Sequence, residues 1–121
     1  MTLFIFTFKF NTKKKMTLDK RFTDAQIDTI CQQGVNASCA CPSHLSNEIK
    51  NIRSLFHYQN ECLIEDKTVL KAKSHKMLKE ATQIAHAVLE LCLKDILINE
   101  EWDMETLTMP THLREKLELT P

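Results

Sequence analysis

Val69-Leu70-Lys71-Ala72-Lys73-Ser74-His75-Lys76-Met77-Leu78-Lys79-Glu80-Ala81-Thr82-Gln83-Ile84-Ala85-His86-Ala87-Val88-Leu89-Glu90-Leu91-Cys92-Leu93-Lys94-Asp95-Ile96 decides the fold class. Within it Val69, Leu70, Met77, Leu78, Ala81, Ile84, Ala85, Val88, Leu89, Cys92 and Ile96 mark out a helical stripe. That period predicts one long helix over about residues 67–98, with the stripe facing a core. Upstream, Leu45, Ile49, Ile52, Leu55 or Phe56, Gln59 and Leu63 repeat the pattern and predict a second helix over about 43–64. Pro42 suits its first turn, where an N–H is dispensable. Glu65-Asp66-Lys67-Thr68 reads as a short break. Two long helices joined this way are expected to pack as an antiparallel hairpin.

Short helices flank the pair. Thr23 can cap a helix over about 24–33, with Gln26 as its capping-box partner and Phe22, Ile27, Ile30 and Cys31 as its apolar stripe. Gly34 suits a left-handed C-terminal cap. After Asn99 the acidic run to Asp103 reads as loop, and Met109-Pro110-Thr111 can open a last helix through Leu119, with Leu113 and Leu117 on one face. The fold class is therefore all-α. One Gly and three Pro leave too little punctuation for an all-β chain. Neither helix covers the other completely, and Phe56, Leu63, Met77 and Leu91 are expected to want further cover. That predicts self-association as a homodimer, with a four-helix bundle as the product.

At 121 residues the chain has room for one domain, assigned to 22–121. Residues 1–21 are set apart as a flexible N-terminal segment. There the apolar run Leu3-Phe4-Ile5-Phe6-Thr7-Phe8-Lys9-Phe10 precedes Lys13-Lys14-Lys15, the reverse of a signal peptide's order. The run reads as a strand, as a membrane-surface tether, or as sequence upstream of a true start at Met16. No stretch approaches the ~20 apolar residues that span a bilayer. Charge alternates along the chain: basic to residue 21, acidic over 22–66, basic over 67–98, acidic beyond. Without an extended basic face, nucleic acid is not an expected partner. Residues 26–53 loosely resemble a helix–turn–helix, but the loop is long and the second helix offers only Lys50 and Arg53. Five cysteines, an odd number, read as reduced thiols in a cytoplasmic protein.

Chemistry is concentrated at Cys39-Ala40-Cys41-Pro42-Ser43-His44-Leu45. Cys31, Cys39, Cys41 and His44 lie within fourteen residues and form a candidate zinc site, although Cys-x-Cys-x-x-His is not a familiar module. Packing and capping, or redox chemistry, are the other readings. Cys41 is expected to have a lowered thiol pKa beside the helix N-terminus and to react faster than Cys92. Cys31 and Cys92 are read as core. Cys62 is eighteen residues past His44, about 27 Å along a continuous helix, and falls outside the site. His75 and His86 are about 16 Å apart along one helix and cannot share an ion. His57 is read as partly exposed or packed at a helix contact. Lys67, Lys71, Lys73, Lys76 and Lys79 are read as a solvated face. Cys41 and His44 could form a nucleophilic pair, but no oxyanion hole or substrate pocket accompanies them, so the chain is read as non-enzymatic.

The string Cys39-x-Cys41-Pro42-x-His44-Leu45, followed by Ser54, Leu55, Tyr58, Cys62, Asp66, Leu70, His75, Leu78, Ala81 and Glu90, resembles a helical segment at the C-terminal end of some MerR-type bacterial regulators, including cobalamin-domain ones. The resemblance covers about residues 24–98. It implies a free-standing accessory helical module in transcriptional regulation. The winged DNA-binding domain of those regulators has no counterpart here, nor has the Asp-x-His-x-x-Gly motif of their cobalamin domain. Neither DNA nor cobalamin binding carries over. The expected function is a helical interaction or regulatory module binding itself or a protein partner, with metal or redox sensing at Cys39, Cys41 and His44 as the alternative.

Overall fold

The computed structural model describes residues 17–37, 39–65 and 69–114, with side chains described outside 62–65 and 69. It is built from three α-helices, α1 (Asp24–Val35), α2 (Cys41–Glu65) and α3 (Val69–Asn99), and a 3-10 turn at Thr111–Leu113. Among the described residues there is no strand, only two isolated bridges, Ala37 with Arg114 and Asp103 with Thr108. The all-α class holds for these residues. The N-terminal apolar run, the Asp66-Lys67-Thr68 break, Leu117, and the side chains of Cys62 and Leu63 lie outside them.

The start of α1 follows its sequence. Thr23 Oγ1 accepts from the Gln26 N–H at 3.1 Å, and Gln26 Oε1 accepts from the Thr23 N–H at 2.8 Å. Two of the first turn's orphan donors are thereby satisfied reciprocally. The end of α1 departs from expectation. The helix continues through Gly34 to Val35, and no glycine has a positive φ. Gly34 is needed for close approach instead. A Cβ there would stand 2.8 Å from Ser43 Cβ and 2.9 Å from Ser43 N, so the first turn of α2 occupies its place.

The core gathers where the elements meet. Phe22, Ile27 and Ile30 come from the α1 end, Ile49 from α2, and Leu93 and Leu97 from α3. Trp102, Leu107 and Met109 close it from beyond α3. This last segment is a tight loop rather than an open one. Glu101 and Leu107 take left-handed φ values of 64° and 58°. Asp103 Oδ1 accepts from the N–H groups of Glu105 and Thr106. Gln33 Oε1 of α1 accepts from the Met109 N–H and from Arg114, so the returning chain is tied to the first helix. The expected last helix is, in the described part, a single 3-10 turn.

The largest correction concerns α3. Its buried face is Lys79, Thr82, His86, Glu90, Leu93 and Leu97. Members of the expected core stripe point the other way: Leu70 is 81% exposed, Met77 61% and Val88 60%, and Cys92 is exposed too. The helix is apolar along its outer side and, on its inner side, only toward its end at Leu93 and Leu97, and periodicity cannot say which side meets a neighbour. Polar partners on α2 decide it. Lys79 Nζ donates to Asn60 Oδ1 at 2.6 Å and lies 5.8 Å from the Phe56 ring centroid. His75 Nδ1 and Gln59 Oε1 are 2.6 Å apart. Lys79 is thus interior and not part of a solvated lysine face, whereas Lys71, Lys73 and Lys76 are exposed. Phe56 finds its cover within the chain. Arg53 meets His86, while Gln59 and Asn60, further along α2, meet His75 and Lys79, earlier on α3.

Gly34→Ala tests the junction. Alanine should gain helix propensity of up to ~1 kcal/mol, but overpacking against the Ser43 backbone costs about 1–3 kcal/mol. A net fall in the urea midpoint with an unchanged slope is expected. A rise would show that α2 can move away freely.

Candidate functional site

The thiol loop sits between α1 and α2. Cys41 is the first residue of α2, and Cys39 stands two residues before it. Their Sγ atoms are 3.1 Å apart, and both side chains are exposed. The Cys39 thiol pKa is lowered, first by its hydrogen bond with the Cys41 thiol and then by the Cys41 backbone N–H. The Cys41 thiol is raised, first by its hydrogen bond with the Cys39 thiol and then by charge on Cys39. The acidified thiol is therefore Cys39, which corrects the expectation for Cys41. The helix's free N–H groups project back toward the residue preceding the first turn, so the anion is best placed there.

The other members of the candidate zinc set go elsewhere. Cys31 is half-buried between α1 and α2, where its thiol donates to Asn47 Oδ1 at 3.5 Å and lies 3.5 Å from Ser43 Oγ. His44 is exposed on the first turn of α2, beside a shallow hollow edged by Cys41, Leu45, Glu48 and Ile96. Among the described residues no three His, Cys, Asp or Glu side chains gather as ligands for an ion. The structure thus brings Cys39 and Cys41 together and does not bring Cys31 and His44 into a shared ligand set with them. Cys92 does not face the core. It lines an open groove on the outer side of α3 with Val88, Leu91 and Ile96.

A second cluster, absent from the sequence reading, lies inside the fold. Arg53 of α2 is 8% exposed, Glu90 of α3 3% and His86 1%. Arg53 donates from Nε to His86 Nε2 at 3.0 Å and from Nη2 to Glu90 Oε2 at 2.8 Å and the Phe22 carbonyl at 2.7 Å. Its Nη1 binds Asp24 of α1. The Glu90 carboxylate also accepts the backbone N–H groups of Arg21, at 2.9 Å, and Phe22, at 3.0 Å. Because His86 Nε2 accepts from Arg53, the ring is neutral with its proton on Nδ1, 3.8 Å from Glu90 Oε1. Burial pushes the His86 pKa below the usual imidazole range, with Glu90 opposing and Arg53 assisting. Arg53, and secondarily Lys20, hold Asp24 below the usual carboxylate range. The signal was present in the sequence, since Arg53 continues the line of Ile49 and Phe56, but arginine there reads as a surface residue. Lys50, the other basic residue of α2, pairs with Asp28 at 2.8 Å.

No helix among the described residues is long and apolar enough to cross a membrane. His57 is exposed, with Glu61 at 3.6 Å.

Two measurements check these assignments. Below the ordinary thiol range Cys39 should alkylate faster than Cys41 and Cys92, and Cys41→Ala should slow Cys39 toward Cys92; equal rates at all three would remove the pairing. For the buried cluster the native state resists protonating His86 while the unfolded chain does not. Stability is therefore complete above the ordinary imidazole pKa of 6.5 and should fall as pH drops below it. His86→Gln, whose amide oxygen can still accept from Arg53, should flatten that fall between pH 7 and 5. Arg53→Leu should cost about 3–5 kcal/mol in urea unfolding at pH 7, because Glu90 then remains buried without its cation.

No family model matches this chain, and neither the curated proteins nor the solved structures provide a match.

Proposed function

We propose that the chain is a non-enzymatic helical interaction module that works by associating with itself. The observation that carries this reading is the outer side of α3. Leu70, Met77, Val88, Leu91 and Ile98 are all exposed there, although the helix already supplies a complete inner face to its own core. A contiguous apolar face on a small soluble fold is characteristic of an interaction site. In this reading α2 and α3 act as an antiparallel hairpin, and two hairpins from two copies meet as a four-helix bundle. A different protein partner taking the same face is the competing occupant. The resemblance of residues 24–98 to the C-terminal helices of MerR-type regulators supports a regulatory setting in the bacterial cytoplasm, as does a reduced odd set of cysteines.

A second reading is favoured by one distance. A separation of 3.1 Å between the Cys39 and Cys41 thiols supports dithiol redox sensing over a zinc site with Cys31 and His44. The two thiols would pass two electrons and two protons to a small disulfide, forming one intrachain disulfide.

Light scattering at tens of micromolar tests the leading reading. A dimer is expected, and Val88→Glu should return it to a monomer with unchanged helicity. A monomeric wild-type chain would overturn it. For the second reading, oxidised glutathione should remove two hydrogens from the intact mass, and Cys39→Ser should abolish that change.

A further inference from the structure

The outer face of α3 carries a repeat that its inner face hides. Leu70, Met77, Ile84, Leu91 and Ile98 recur every seven residues. Ser74, Ala81, Val88 and Asp95 recur every seven, four places later. Lys79, His86 and Leu93 form a third seven-residue row, and all three are buried against the rest of the chain. The first two rows stand opposite that third one. An apolar pattern of period 3.5 on a free helix face is the seam of a two-helix coiled coil. From Ser74 to Ile98 it runs about 36 Å at 1.5 Å per residue.

Resting on the self-association reading, we infer that the occupant is α3 of a second copy, laid antiparallel across a two-fold axis near His86. Charge selects the direction. The first half of α3 bears Lys71, Lys73 and Lys76, all exposed, while Asp95 lies at its far end and Glu100 and Glu101 in the turn just beyond it. An antiparallel pair sets the basic half of each helix against the acidic end of the other. A parallel pair stacks like on like and places Asp95 against itself inside the seam. Register follows from the two-fold axis, because residue numbers facing each other across it sum to a constant. Ile84 then meets the partner's Val88 and Met77 the partner's Asp95, while Ala81 meets the partner's Leu91 and Ser74 the partner's Ile98, so in the last two layers a small residue opposes a large one. In the flanking row that also holds Ala87 the sum is two higher, which brings Glu80 alongside the partner's Lys94, twice per dimer. Neither Glu80 nor Lys94 has an ion-pair partner among the described residues of its own chain. Ala85 and Ala87 lie beside the axis, where short side chains let the helices close.

Two experiments on the full chain test the direction. First, isotopically light and heavy copies are mixed and treated with a zero-length carbodiimide. A mixed-isotope link between Glu80 and Lys94 is expected. Within one chain these residues are fourteen apart on a helix, about 21 Å, and cannot be joined. Second, Glu80→Lys and Lys94→Glu should each raise the dimer dissociation constant about ten-fold at low salt. The double reversal should restore the wild-type value, and helicity of all three variants should be unchanged. A dimer lacking that link, in which the double variant is no tighter than the single ones, overturns the antiparallel seam and leaves self-association standing. A wild-type monomer overturns both.

Discussion

The bidentate reach of Arg53 to Glu90 and His86 is the interaction on which the rest of the fold depends. One guanidinium ties α2 to α3 through Glu90 and His86, to α1 through Asp24, and to the segment before α1 through the Phe22 carbonyl. The same carboxylate that receives it also receives the N–H groups of Arg21 and Phe22. A charge pair taken out of water recovers its desolvation cost only when nearly all of its hydrogen bonds are made. Here they are made in one relative position of the three helices. The pair's contribution is therefore best described as register: a shift of α3 by one residue would part Glu90 from its cation and leave Arg53 with Asp24 as its counter-charge.

That constraint explains the unusual division of α3. To place Glu90 and His86 on Arg53, the helix must turn Lys79 and Thr82 inward as well, since they lie on the same face. Asn60, Phe56 and Gln59 meet that row with matching chemistry. The apolar core is thereby confined to the end of the bundle near Trp102, where Ile27, Ile30, Ile49, Leu93 and Leu97 meet. A polar inner layer at one end and an apolar core at the other leave the second apolar face of α3 outside. The exposed seam is thus a consequence of the buried ion pair rather than an independent feature, and the proposed association is the other half of the same arrangement.

The α1–α2 junction shows a similar economy of space. Gly34 lets Ser43 approach, and Pro42, fully buried, holds the start of α2. This close packing projects Cys39 and Cys41 outward as a pair while Cys31 turns inward to Ser43 and Asn47. The thiol loop adjoins the outer side of α3, because Ile96 edges both the hollow beside Cys41 and the groove lined by Val88 and Leu91.

Much of the local structure was legible from residues alone. Thr23 and Gln26 announce the capping box, Pro42 the start of α2, and Ile27, Ile30 and Ile49 the core, because these depend on neighbours within a few positions. The closeness of Cys39 and Cys41 was legible as spacing. Three things were not. Gly34 could be a cap or a site of contact, and only the position of Ser43 chooses. Trp102 sits in an acidic stretch whose composition reads as loop, yet it is 4% exposed because left-handed turns at Glu101 and Leu107 fold it under the core. The orientation of α3 was hidden most completely. Of its two faces the outer is the more apolar, so burial by area alone would favour the face that the fold leaves outside. What decides between them is a set of partners 16 to 37 residues away on α2, and hydrogen bonds between side chains that distant in sequence exist only once the chain has folded.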